Sequence, residues 1–194
     1  GRPGDPSGIK YWLSRSNDSI TIRKISNELS RQDEYEKFIA NDKSVDFKIN
    51  RLYLNLFNRK ADFDGLNYWM EMVNNHNYEI SDIVYELIYL TKKPYEVDSK
   101  QEEDDFYIFQ NKISAAELFT KQISKSITLI NLYQPASISP WRPGNAFISV
   151  FNFLSRISFE RVSVDNINDL INSLSDVSLE ILNKPAIEMK DISL

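Results

Sequence analysis

Cysteine is absent from the 194 residues and histidine occurs once. The first absence excludes disulfides, thiolate nucleophiles and cysteine-ligated metals, and it leaves the compartment open. Together the two leave few ways to build a nucleophile and base or a transition-metal site. The one histidine, His76, stands in the polar run Asn74-Asn75-His76-Asn77, which predicts an exposed turn residue. With five glycines in all, there is no phosphate-cradling glycine loop and no nucleophile elbow. No apolar run approaches the roughly 18 residues that span a bilayer, and no signal-peptide pattern opens the chain, so membrane insertion is not expected. An excess of positive charge is also lacking. The net charge of -5 argues against nucleic acid or anionic lipid as a partner.

What is present is an ordinary globular composition, 42% hydrophobic, 12% aromatic and 26% charged, at a length near that of one domain. It contains an internal repeat. Arg2, Asp5, Gly8, Tyr11 and Trp12 recur, each 57 positions further on, as Arg59, Asp62, Gly65, Tyr68 and Trp69. After a one-residue slip the likeness continues, with Ile22, Ile25, Glu28 and Leu29 answering to Ile80, Ile83, Glu86 and Leu87. The second copy is preceded by residues 45–57, whose apolar positions 45, 49, 52, 53, 56 and 57 trace one helical face. The first copy lacks this helix, so the natural protein is expected to extend upstream of Gly1.

Each copy therefore reads as helix, tight loop, helix, turn, helix. Asp5 and Asp62 are placed to cap the following helix by accepting its free backbone N–H groups, and Pro6 suits a first helical position. Gly8 and Gly65 allow a neighbouring helix to approach. Tyr11-Trp12 and Tyr68-Trp69 lie one turn further on, where large rings can lock helices together. Residues 19–29 and 80–90 form the third helix of each copy.

Beyond Tyr95 a polar, acidic stretch at 96–105 leads into a long helix from about 106 to 126, with apolar positions 106, 109, 113, 116, 119 and 123. Residues 134–144 hold three prolines and a glycine and predict a loop. Helices resume over 146–157 and 164–174, with Ser163 as N-cap, and no strand or hairpin signal occurs. The expected architecture is all-α: a compact multi-helix domain with two tandem helix-loop-helix repeats. Residues 1–97 form the paired-repeat region, 98–182 pack on it within the same domain, and 183–194 form a tail.

Two kinds of side chain are candidates for binding. Aromatic rings beside Arg, Asp or Asn suit sugar rings, through stacking plus hydrogen bonds to hydroxyls. Trp141 and Arg142 in the proline loop, Asn145 just beyond it, and Tyr78 beside the Asn run fit that description, whereas Trp12 and Trp69 read more simply as core. Asp62 and Asp64 could take a hard cation such as calcium, although capping explains Asp62 better and the twelve-residue EF-hand pattern is missing. The run Glu102-Glu103-Asp104-Asp105 precedes a helix and reads as a solvated face that complements the helix dipole.

The stretch from Leu52 to Trp69, with Leu52-Tyr53, Asn58-Arg59, Asp62, Gly65-Leu66 and Tyr68-Trp69, resembles the signature of the bacterial domain-of-unknown-function family 4214. Gly1-Arg2 through Tyr11-Trp12 is similar to it as well, and Gln110-Asn111-Lys112 is similar to the Asn-Lys that follows such repeats. Asn58 departs from the family's usual glycine, and the richness in Lys and Asn departs from its usual Ala and Gly. The resemblance implies a fold related to phycobilisome linker domains, and a paired-repeat arrangement like the lipopolysaccharide-binding anchor of a surface-layer protein. It thereby implies a non-catalytic, extracellular attachment module at the bacterial cell surface. Its partners would be surface polysaccharide and other copies of a surface-layer protein, with calcium as the one cofactor to consider. A protein-binding linker and an accessory domain of a glycosyltransferase are the alternatives it leaves open.

Overall fold

A computed structural model describes residues 1–16, 21–37, 43–91, 99–133 and 145–181 of the chain. Among them the structure is all-α, as expected: α1 (Pro6–Ser16), α2 (Ile22–Ser30), α3 (Asp33–Tyr35), α4 (Val45–Phe57), α5 (Phe63–Asn75), α6 (Ile80–Leu90), α7 (Lys100–Ile123), α8 (Ile127–Tyr133), α9 (Asn145–Leu154) and α10 (Val164–Ile181).

Helix α4 forms where the 3.6-residue apolar period places it, and it buries Ile49, Leu52, Tyr53 and Phe57. With Trp69 of α5, Ile83 and Leu87 of α6 and Phe109 of α7 these residues make a first core. A second core joins Phe119 and Ile123 of α7 to Tyr133 of α8, Ala146 and Val150 of α9, and Ile167, Ile171 and Leu174 of α10. Helix α7 is thus shared. Its opposite ends belong to different cores, while Ala115, Leu154 and Ile157 fill the space between.

The third helices of the two copies pack on each other. Ser26 Oγ of α2 donates to the Ser81 carbonyl of α6 at 3.0 Å, and Arg23 reaches Glu86 at 2.7 Å and Asp82 at 3.2 Å. Helix α1 buries no residue at all.

Several boundaries differ from the sequence expectation. Helix α7 begins at Lys100 rather than near 106, because Ser99 Oγ caps it by accepting from Glu102 N at 3.3 Å and Glu102 and Glu103 complement the dipole of its first turn. Phe109, Phe119 and Ile123 of its expected stripe are buried, with one departure and some additions. Ile113 is exposed, and the helix also buries Ala115 together with Asp105, Asn111 and Lys112, since it serves two cores and several polar partners. Helix α8 was not expected, having too short a run for a period to stand out. Helix α9 stops at Leu154, with the Ile157 N–H closing a last turn onto the Leu154 carbonyl at 3.3 Å. Ser163 does cap α10, accepting from Asn166 N at 3.1 Å, and the helix continues past 174. The proline loop 134–144 and the tail 183–194 lie outside the described residues.

Candidate functional site: two Arg loops and their outward tyrosines

The second loop begins where α4 ends. Asn58 sits in the left-handed region at φ 59° and ψ 21°, and its N–H closes onto the Leu54 carbonyl at 3.2 Å. This is a position that favours glycine, and Asn is among the few other residues that adopt it readily, so the departure from the usual glycine keeps the turn. The reversal brings Arg59 against Asp105 of α7 in a two-pronged pair, Nε to Oδ1 at 2.9 Å and Nη2 to Oδ2 at 2.6 Å. Nη1 donates to the Lys60 carbonyl at 3.0 Å, and the guanidinium lies 5.2 Å from the Tyr53 ring centre. The hydrogen bonds that Arg59 donates to Asp105 raise its pKa further. Asp105 was expected on a solvated face, yet its side chain is only 9% exposed, because Arg59 supplies the charge that makes burial tolerable.

The cap follows as expected: Asp62 Oδ1 accepts from Gly65 N at 2.8 Å, a bond that holds the carboxyl below its ordinary pKa. A Cβ on Gly65 would stand 3.2 Å from the Tyr53 hydroxyl, so this glycine does admit α4. The same hydroxyl accepts from Trp69 Nε1 at 3.0 Å inside the first core. Lys112 of α7 donates to the carbonyls at the end of α4, Asn55 at 2.7 Å and Leu54 at 3.2 Å, and burial lowers its pKa to about 8.

The first loop repeats this bonding with other partners. Arg2 grips Glu34 of α3, Nε to Oε1 at 2.5 Å and Nη2 to Oε2 at 2.7 Å, and Nη1 donates to the Pro3 carbonyl at 2.9 Å. Asp5 Oδ1 accepts from Gly8 N at 2.7 Å. The ring facing the guanidinium, 5.7 Å away, is Tyr133 of α8. Burial pushes the Tyr133 hydroxyl up to about 12, and that hydroxyl donates to the Pro3 carbonyl. Gly8 differs from Gly65. A Cβ there would meet the Asp5 carboxylate at 2.8 Å and no neighbouring helix.

The Tyr-Trp pairs do not act as the repeat suggested. Consecutive residues on a helix point about 100° apart, so one ring of each pair turns inward and the other outward. Trp69 is 4% exposed and belongs to the first core, while Tyr68 is 54% exposed. Tyr11 is 52% exposed beside a half-buried Trp12. Each tyrosine is braced edge-on by its tryptophan, at 4.8 Å and 71° in the second copy and 5.1 Å and 78° in the first. Around Tyr68 the same outward face of α5 carries Asp64, Asn67, Glu71 and Asn75, all exposed. The helical spacing of these polar residues was the signal available in the sequence.

The other candidates fall in different places. Trp141 and Arg142 lie outside the described residues. Asn145 opens α9. Tyr78 is half-buried and packs against the first core. Asp62 is engaged as a cap, and Asp64 is exposed in the first turn of α5. Among the described residues no group of three or more His, Cys, Asp or Glu side chains could hold a metal ion, and no helix is long and apolar enough to cross a membrane. His76 ends α5, exposed, with Nε2 3.9 Å from Glu71.

Comparison with known proteins finds one family. Residues 26–87 match the family model described as a domain of unknown function, DUF4214, which supports that family for the stretch containing the second loop. No curated protein and no solved structure matches the chain.

Proposed function

We propose that this chain is a non-catalytic attachment module that binds surface polysaccharide, lipopolysaccharide included, outside a bacterial cell and so anchors a surface-layer or secreted protein. The observation that carries the reading is the outward face of α5. An exposed Tyr68 ring, held by Trp69, stands among Asp64, Asn67, Glu71 and Asn75. A fixed aromatic face covers the C–H side of a pyranose at little entropic cost, while amides and carboxylates exchange hydrogen bonds with its hydroxyls. Asp64 and Glu71, two turns apart on this face, each offer a carboxylate that a calcium ion could bridge to an acidic group of a glycan. The capped, ion-paired loop beneath keeps this face rigid, which is what a weak and repeated contact needs.

The test is binding of the purified chain to lipopolysaccharide or capsular polysaccharide from the producing cells, with and without calcium. Saturable binding that weakens in Tyr68→Ala is expected, and Trp141→Ala reports whether the proline loop contributes. Absence of saturable binding in both conditions, with a protein partner co-purifying instead, would reject attachment in favour of a linker.

A further inference from the structure

The first copy presents the same braced tyrosine on a face of opposite charge. Ser7, Lys10, Tyr11 and Ser14 share an exposed side of α1, and Arg15, one turn beyond Tyr11, lays its guanidinium 5.5 Å from the Tyr11 ring centre. Arg15 is half-buried and its Nε is shielded from solvent with no hydrogen-bond partner. Among the described residues it holds no carboxylate, whereas Arg2, Arg23 and Arg59 each hold one. Asp5, at the start of the helix, is committed to its cap and to Ser7 Oγ at 2.6 Å.

Among the described residues the positive charge of Arg15 thus has no carboxylate of its own, in a chain whose net charge is -5. Packing does not require it. The corresponding residue of the second copy is Met72, which packs against the first core. The charge is therefore open to an anion that arrives from outside.

We propose that this face of α1 is a subsite for an acidic sugar, a pyranose carrying a carboxylate, with Tyr11 against the ring and Arg15 and Lys10 on the oxyanion. The inference rests on the polysaccharide reading above and deepens it. Guanidinium presents a planar fork that matches a carboxylate, and stacking on Tyr11 fixes the fork before the ligand comes. The α5 face, with Asp64 and Glu71, repels the same anion. The two copies thus select different residues of one polymer, an acidic sugar at α1 and a neutral or cation-bridged one at α5.

The experiment titrates the whole chain with oligogalacturonate, with the same oligomer after reduction of its carboxyl groups, and with inorganic phosphate alone. Oligogalacturonate is expected to bind about tenfold or more tightly than the reduced oligomer, with a preference that falls as salt rises. Arg15→Met, the residue the second copy uses, and Tyr11→Ala should each remove most of that preference while the thermal midpoint stays in place. Equal binding of the reduced oligomer, an unchanged preference in Arg15→Met, or phosphate alone giving the full Arg15-dependent signal would overturn the subsite. So would salt-sensitive self-association that Arg15→Met abolishes without sugar, since the acidic α5 face of a second copy would then be the true occupant. If surface polysaccharide binds without any such preference, only the subsite falls. If the uronate preference holds while surface polysaccharide fails to bind, the attachment reading falls and the subsite stands.

Discussion

The two loops carry the same five residues and make the same bonds, yet they are set in different surroundings. Arg59 is locked to an acid that is 9% exposed and faces a tyrosine from the preceding helix, whereas Arg2 holds an acid that is 28% exposed and faces a tyrosine 131 positions away. The cap and the backbone contact of the arginine are local and recur unchanged. What the loop asks of its surroundings is a carboxylate and a phenol, and the chain supplies them from whichever helix is at hand: Asp105 and Tyr53 in one case, Glu34 and Tyr133 in the other. Identical motifs therefore need not contribute equally to stability.

The widest gap should appear at the arginines. Arg59→Ala leaves Asp105 buried with no positive charge beside it, only the Gln101 amide at 3.3 Å, and is expected to cost about 3 kcal/mol, against about 1 kcal/mol for Arg2→Ala, where water can reach Glu34. Equal losses in urea unfolding would break the comparison. Next come the glycines. Gly65→Ala forces a methyl toward the Tyr53 hydroxyl, which is held by Trp69, at about 2 kcal/mol, while Gly8→Ala displaces only the tip of Asp5 and should cost less than about 1 kcal/mol. At the caps the difference should vanish: Asp5→Ala and Asp62→Ala are each expected to lose about 1 kcal/mol, read from the same denaturation curves. The smallest effect belongs to Arg15→Met, whose melting curve should overlay that of the parent to within about 0.5 kcal/mol, because Met occupies the matching site in the other copy. A large loss there would mean that Arg15 is structural.

These contrasts also mark what the sequence could disclose. The repeat, both caps, the buried face of α4 and the limits of α6 were legible because each is a local pattern of period or spacing. Asp105 was not, since a buried acid within an acidic run looks like its solvated neighbours until its distant arginine is known. Tyr133 escaped for the same reason, as α8 gains its meaning from a loop at the other end of the chain. Tyr68 and Tyr11 were read as parts of the lock because a conspicuous Tyr-Trp pair suggests a core, and only the helical phase separates the inward ring from the outward one. Trp141 and Arg142, in the proline loop, lie outside the described residues, so the sugar-binding role given to them rests on the sequence.

Helix α7 has a bearing on how such a module would carry tension. Its 24 residues make a rod of about 36 Å, pinned by Asp105 and Phe109 at one end and by Phe119 and Ile123 at the other. A pull that loosened one core would drag on the other through this rod, so the two behave as links riveted to one bar rather than as beads on a string. Stretched between its ends, the molecule is expected to give way in a single rupture, holding its full grip until it lets go.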